Sequence, residues 1–190
     1  MDIKIKCHPM FVPFAAAVIV LGGRGLWPVL AAAFVHEAGH AACMVVLGLK
    51  IEAVTLMPGG ADIRYRGGAS PYWADLAAAL AGPAANLAVC FLLAGAGGGL
   101  RAFVGMNLAL CLFNLLPIYP LDGGRSLYLA LEYFFGPYIG WTVSGAVSLA
   151  VCMAMTAAAA WSAHRGGGLW TLMLFGYLLI SQPLLGRQNK

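Results

Sequence analysis

The chain has 190 residues, of which 62% are hydrophobic and only 9% charged, and its net charge is +4. A water-facing domain carries about 25% charged residues to keep its surface solvated, so this composition excludes an ordinary soluble fold and makes the bilayer the natural solvent. The 11 basic residues lie singly or in pairs, with no stripe and no interleaved aromatics, which argues against a nucleic-acid-binding surface.

The first apolar run, about 10–22, follows Lys4 and Lys6 and is interrupted by Pro13 and Arg24. A basic start before a short apolar run also suits a secretory signal. No small-x-small cleavage site follows, and Gly22, Gly23 and Arg24 come next, so a retained short or tilted helix is the preferred reading. Five further runs follow at about 27–48, 73–96, 101–117, 138–161 and 168–185. A spanning helix takes about 20 apolar residues, with a range of about 17–25. The run at 101–117 sits at the lower limit and the other four meet it. Between the second and third runs, IEAVTLMPGGADIRYR at 51–66 alternates apolar and polar residues around Pro58-Gly59-Gly60, the pattern of a β-hairpin.

Six spans place Lys4, Lys6, Lys50, Arg64, Arg66, Arg125, Arg187 and Lys190 on one side and Arg24, Arg101 and Arg165 on the other. The basic-rich side is cytoplasmic, which puts both termini there. The five cysteines form no C-x-x-C pair and read as small apolar packing residues. The expected fold is an all-α integral membrane protein of about six transmembrane helices, with a small β-hairpin near the cytoplasmic face. It is read as one membrane-embedded domain over 1–190, with its core at about 27–136.

The strongest chemical signal is His36-Glu37-Ala38-Gly39-His40, in the middle of the second run. Positions i and i+4 share one helix face, so two imidazoles there can hold one Zn²⁺, with Glu37 placed as general base. Ionisable residues at that depth are expensive and are normally kept for a function. Gly39 lets another backbone or a substrate come close to His40. Two histidines leave a catalytic zinc one protein ligand short. Asp122, in the stretch from Asn114 to Gly124 (NLLPIYPLDGG), is the candidate third ligand. Pro117 and Pro120 break the helix before it, and Gly123 and Gly124 follow. The competing reading makes Asp122 the N-cap of a helix starting near Arg125. Asn86, in Ala81-Gly82-Pro83-Ala84-Ala85-Asn86, either meets substrate or a developing oxyanion, or is interhelical glue beside a Gly-Pro kink. The residues alone leave these even.

HEAGH at 36–40, Gly82-Pro83-x-x-Asn86 and Leu121-Asp122-Gly123, in this order, resemble the site-2 protease family of intramembrane metalloproteases. The stretch at 114–125 is most similar to that family's sporulation branch. The resemblance implies Zn²⁺ on His36, His40 and Asp122, water activation by Glu37, and contact of Asn86 with substrate or oxyanion. It implies a membrane-embedded or membrane-tethered protein substrate, such as a pro-sigma factor, cut near the cytoplasmic face. The hairpin at 51–66 then pairs with extended substrate. The chain leaves no room for the soluble regulatory or PDZ domain of relatives, so a membrane inhibitor or regulator is expected to act on the core or short loops. Two other readings carry less of the sequence. A catalytically silent scaffold that binds membrane helices has no use for Glu37. A metal or solute transporter would spread its polar residues along a path across the bilayer.

Overall fold

The computed structural model describes residues 4–7, 26–57, 60–66, 72–98 and 100–185. The first expected span, at about 10–22, lies outside the described residues. In chain order the elements are β1 (Lys4–Cys7), α1 (Leu26–Val46), β2 (Lys50–Met57), β3 (Gly60–Arg66), α2 (Tyr72–Leu92), α3 (Leu100–Asn114), α4 (Asp122–Phe135), α5 (Pro137–His164) and α6 (Leu169–Leu185). The chain divides into two compact units, Met1–Asn114 and Leu115–Lys190.

In the first unit α1, α2 and α3 pack on one another. Their distribution of side chains is the inverse of a soluble bundle. Small and polar residues point inward: Ala32, Ala74, Ala78, Ala79, His36, Asn86 and Asn107 are all buried. Large apolar residues point outward, with Phe34 75% and Phe91 74% exposed. Lipid tails are as apolar as leucine, so nothing drives large side chains into such a bundle. Close backbone approach and interhelical hydrogen bonds hold it instead.

α1 ends in a Schellman motif. Gly48 sits at φ 68°, the Leu49 N–H donates to the Met44 carbonyl (2.9 Å), and the Gly48 N–H donates to that of Val45 (3.0 Å). The left-handed conformation requires a residue without Cβ.

The chain then enters a three-stranded sheet in the order β1-β2-β3. β2 and β3 pair antiparallel, with Val54 opposite Ile63 and an irregularity between Ile51 and Ala53. β1 adds to the other edge of β2 in parallel, with Lys6 opposite Thr55. That third strand has no signature in the sequence, since four residues ahead of an apolar run show no usable period.

Gly39 fixes how closely α1 and α2 approach. A Cβ built there would lie 2.6 Å from the Ala85 Cβ and 2.7 Å from the Ala81 carbonyl oxygen. One of those partners is backbone, so a methyl group forces the helices apart. Gly39→Ala is expected to cost about 1–3 kcal/mol, read as a lower unfolding midpoint in a detergent titration.

In the second unit α4 packs on α5, and α5 on α6. Gly136, at φ 84°, closes α4 and opens α5, and Pro137 takes the first helical position of α5, where its fixed φ fits and no N–H is missed. The connection at 118–137, between two expected spans, holds the 14 residues of α4. They make about 21 Å of helix, too short to span, and so escape a search for spanning runs.

Among the described residues, three helices, Leu26–Val46, Tyr72–Leu92 and Pro137–His164, are long and apolar enough to cross a membrane. Two more expected spans form the helices α3 and α6, of 15 and 17 residues. The chain is a membrane protein with several candidate transmembrane helices.

Candidate metal centre

α1 and α2 run antiparallel with two faces matched at helical spacing. Ala32, His36 and His40 occupy successive turns of α1, and Asn86, Gly82 and Ala78 those of α2. Three hydrogen bonds set this register. Asn86 Nδ2 donates to the Ala32 carbonyl (3.0 Å). His36 Nδ1 meets Asn86 Oδ1 at 2.7 Å. His40 Nδ1 meets the Ala78 carbonyl at 2.7 Å. Gly82 lies between the two bonded positions, under the rings. A Cβ there would run into His40 Nε2 and would stand 2.8 Å from His36 Cε1.

Both imidazoles are thereby assigned. The Ala78 carbonyl can only accept, so His40 carries its proton on Nδ1. His36 donates likewise to the amide oxygen of Asn86. In the neutral ring Nε2 is then an acceptor, and the two Nε2 atoms converge to 3.1 Å with the rings at 83°. Two acceptors converging in this way are what a shared cation requires. Nitrogens held about 2.0–2.1 Å from a tetrahedral zinc stand about 3.3 Å apart. A ligating histidine whose second nitrogen is bonded to an oxygen acceptor is the usual support for such a site. The pair therefore fits zinc on the evidence of its own hydrogen bonds.

Glu37 follows His36 on α1 and is half-buried. Asn86, expected to contact substrate or oxyanion, has no exposure at all. Stabilising an oxyanion needs a donor, and its amide group already donates to the Ala32 carbonyl and, at 2.8 Å, to Asn107 Oδ1. Its oxygen faces His36.

Asn107 is a buried polar residue in contact with Asn86 that the sequence motifs do not single out. It is fully buried in α3, and its own amide donates to the Phe103 carbonyl (2.9 Å). The signal was available, because it stands in the middle of an apolar run as Asn86 does.

In the second unit Asp122 is the first residue of α4, after Leu121 with φ −62° and ψ 159°, and no side chain caps that end. The helix begins at Asp122 rather than near Arg125, so the N-cap reading of this aspartate fails. A carboxylate in a first helical turn is favoured by the helix dipole. The two glycines after it do not loosen the chain. A Cβ at Gly123 would collide with the Leu115 carbonyl, and one at Gly124 with the backbone of Ile118. The loop at 115–121 thus packs directly on the first turn of α4. Ile118 is fully buried in it, and the Tyr119 N–H donates to Ser148 Oγ of α5 at 2.9 Å. The position of Asp122 is fixed by packing on both sides of it.

No family model matches the chain. Among curated proteins it is similar to stage IV sporulation protein FB of Bacillus subtilis, 33% identical over 136 residues that make up 67% of this chain and 47% of the relative. It is also similar to zinc metalloprotease MJ0392 of Methanocaldococcus jannaschii, 28% identical over 155 residues, 72% of this chain and 45% of the relative. The chain spans about half the length of these curated relatives. A solved structure, a site-2 protease from Methanocaldococcus jannaschii, shares the fold with a TM-score of 0.69 and 21% identity, covering 97% of this chain and 91% of that one. With the paired histidines on α1, these likenesses in sequence and fold make the chain a member of the site-2 protease family.

Proposed function

We propose that the chain is an intramembrane zinc metalloprotease whose metal is held by His36, His40 and Asp122, with Glu37 as general base. The observation that carries this reading is the convergence of two Nε2 acceptors to 3.1 Å, with both Nδ1 atoms committed elsewhere. Two imidazoles and one carboxylate are a known donor set for catalytic zinc, which keeps a further position open for reaction.

Zinc held by His36, His40 and Asp122 would supply a Lewis acid to polarise a peptide carbonyl and acidify water. Glu37 takes the proton from the attacking water and passes it to the leaving amine. Asn86 and the Ala78 carbonyl hold the two rings in register throughout. A helical substrate has its carbonyls internally bonded, so the segment to be cut must unwind first.

The substrate class is a membrane-embedded or membrane-tethered protein, a pro-sigma factor or comparable regulator. A membrane inhibitor or regulator would act on the helices or short loops. The excess of basic residues assigns both termini, and the β2–β3 hairpin, to the cytoplasmic side. β3 is an edge strand of its sheet, which suits pairing with an extended substrate segment.

Zinc content per chain in detergent-purified protein tests this directly. About one zinc in the native protein and far less in Asp122→Ala is the expected result. A well-folded native protein without zinc, purified under conditions that strip no metal, overturns the reading and leaves a helix-binding scaffold of the same fold.

A further inference from the structure

A polar chain crosses the first unit from α3 to α1, and its direction is set from its far end. The Phe103 carbonyl can only accept, so the atom of Asn107 that meets it is Nδ2, at 2.9 Å. Asn107 therefore turns Oδ1 toward Asn86. The Asn86 atom lying 2.8 Å from that oxygen, and 3.0 Å from the Ala32 carbonyl, must be Nδ2. Asn86 then presents Oδ1 to His36 Nδ1 at 2.7 Å, and His36 must donate. Two backbone carbonyls, of Phe103 and Ala32, thus dictate the orientation of two buried amides and the tautomer of one imidazole. None of the links can reverse without setting acceptor against acceptor in a site where Asn86 and Asn107 have 0% exposure. Leaving a buried polar group unpaired there is costly.

We infer that Asn86 and Asn107 are positioning residues for the metal site, a relay from α3 that locks His36 in the Nδ1–H form and aims its Nε2 at the metal. The inference rests on the zinc reading above. It assigns Asn86 an action on the ligand and brings α3 into the site through Asn107. It also explains why the two histidines are supported differently. His40 leans on a carbonyl of α2 that helix geometry already fixes. His36 has only a rotatable side chain opposite it, and that side chain needs a second one to hold it.

Two substitutions at Asn86 separate a relay from simple helix glue. Asn86→Asp and Asn86→Leu both remove the carboxamide that binds Ala32 and Asn107 together, so both should lower the unfolding midpoint. Only Asn86→Asp keeps an oxygen acceptor facing His36. Zinc affinity, measured by chelator competition, is expected to fall about 10–100-fold in Asn86→Leu and to stay within about tenfold of native in Asn86→Asp. The visible spectrum of the cobalt-substituted protein should stay native-like in Asn86→Asp and change in Asn86→Leu. Asn107→Leu, which leaves the His36–Asn86 bond in place, should weaken zinc about fivefold, the worth of one neutral hydrogen bond; it provides the test if Asn86→Leu does not fold. Equal loss of zinc in Asn86→Asp and Asn86→Leu, or native affinity in both leucine variants, overturns the relay while the zinc site stands. Absence of zinc from the native protein overturns both readings together.

Discussion

Glu37→Gln is expected to lower peptide-bond hydrolysis by about 10²–10⁴-fold while zinc content stays at the native level. Gln has the shape of Glu but cannot take a proton, so the substitution removes the base and little else. Glu37 lies next to His36 and three residues before His40, beside the face that carries both rings. It is half-buried where His36 is buried, which fits a group that must meet water and substrate rather than sit behind a ligand. The measurement is cleavage of a membrane-tethered reporter by purified protein in detergent, with zinc determined on the same sample. Retained cleavage removes Glu37 from the role of base. Loss of zinc together with cleavage would make it part of the support of the metal site.

What the sequence made legible was decided by spacing along single helices. His36 and His40 are one turn apart, and that alone sets them on one face of α1. The depth of the pair in an apolar run, and the inside-out composition, could also be read directly. The partner across the interface could not. Periodicity says which face a residue occupies but not what stands opposite, so the sequence leaves Asn86 balanced between glue and oxyanion contact, and that both of its amide protons are used is visible only across the interface. Asn107 was missed for the same reason, since its meaning lies in a bond across to α2. α4 is absent from the expected spans because a 14-residue amphipathic helix fails the length test for spanning. Nor does the sequence show that Gly123 and Gly124 serve the close packing of the loop at 115–121 on the start of α4.

Gly82 is the residue whose reading changes most, and Gly82→Ala is the sharpest test of the site. The sequence suggests a kink beside Pro83. The structure puts the imidazoles of His36 and His40 over this glycine, so near that a methyl group would overlap His40 Nε2 and come within 2.7 Å of His40 Cε1. What must move is the tip of two side chains, not backbone, so the helices can keep their places. The rings cannot yield without cost to the metal. Each is tied by Nδ1 to α2 at 2.7 Å, and swinging either one breaks that bond or parts the two Nε2 atoms. Metal sites tolerate about 0.2 Å in ligand distance. Zinc affinity is therefore expected to fall by about 100-fold or more, beyond the loss of a supporting partner, with the unfolding midpoint close to native. Gly39→Ala is the counterpart. Its methyl group meets Ala81 backbone and the Ala85 Cβ, so it should lower the unfolding midpoint while chelator competition still finds zinc bound. Native zinc affinity in Gly82→Ala would mean that the rings do not lie over this glycine in the working protein. A fall in the unfolding midpoint as large as that of Gly39→Ala would return Gly82 to an ordinary packing role. The expected result makes Gly82 and Asn86, one turn apart on α2, two halves of one device. The first clears space for the histidine pair, and the second holds one of the rings within it.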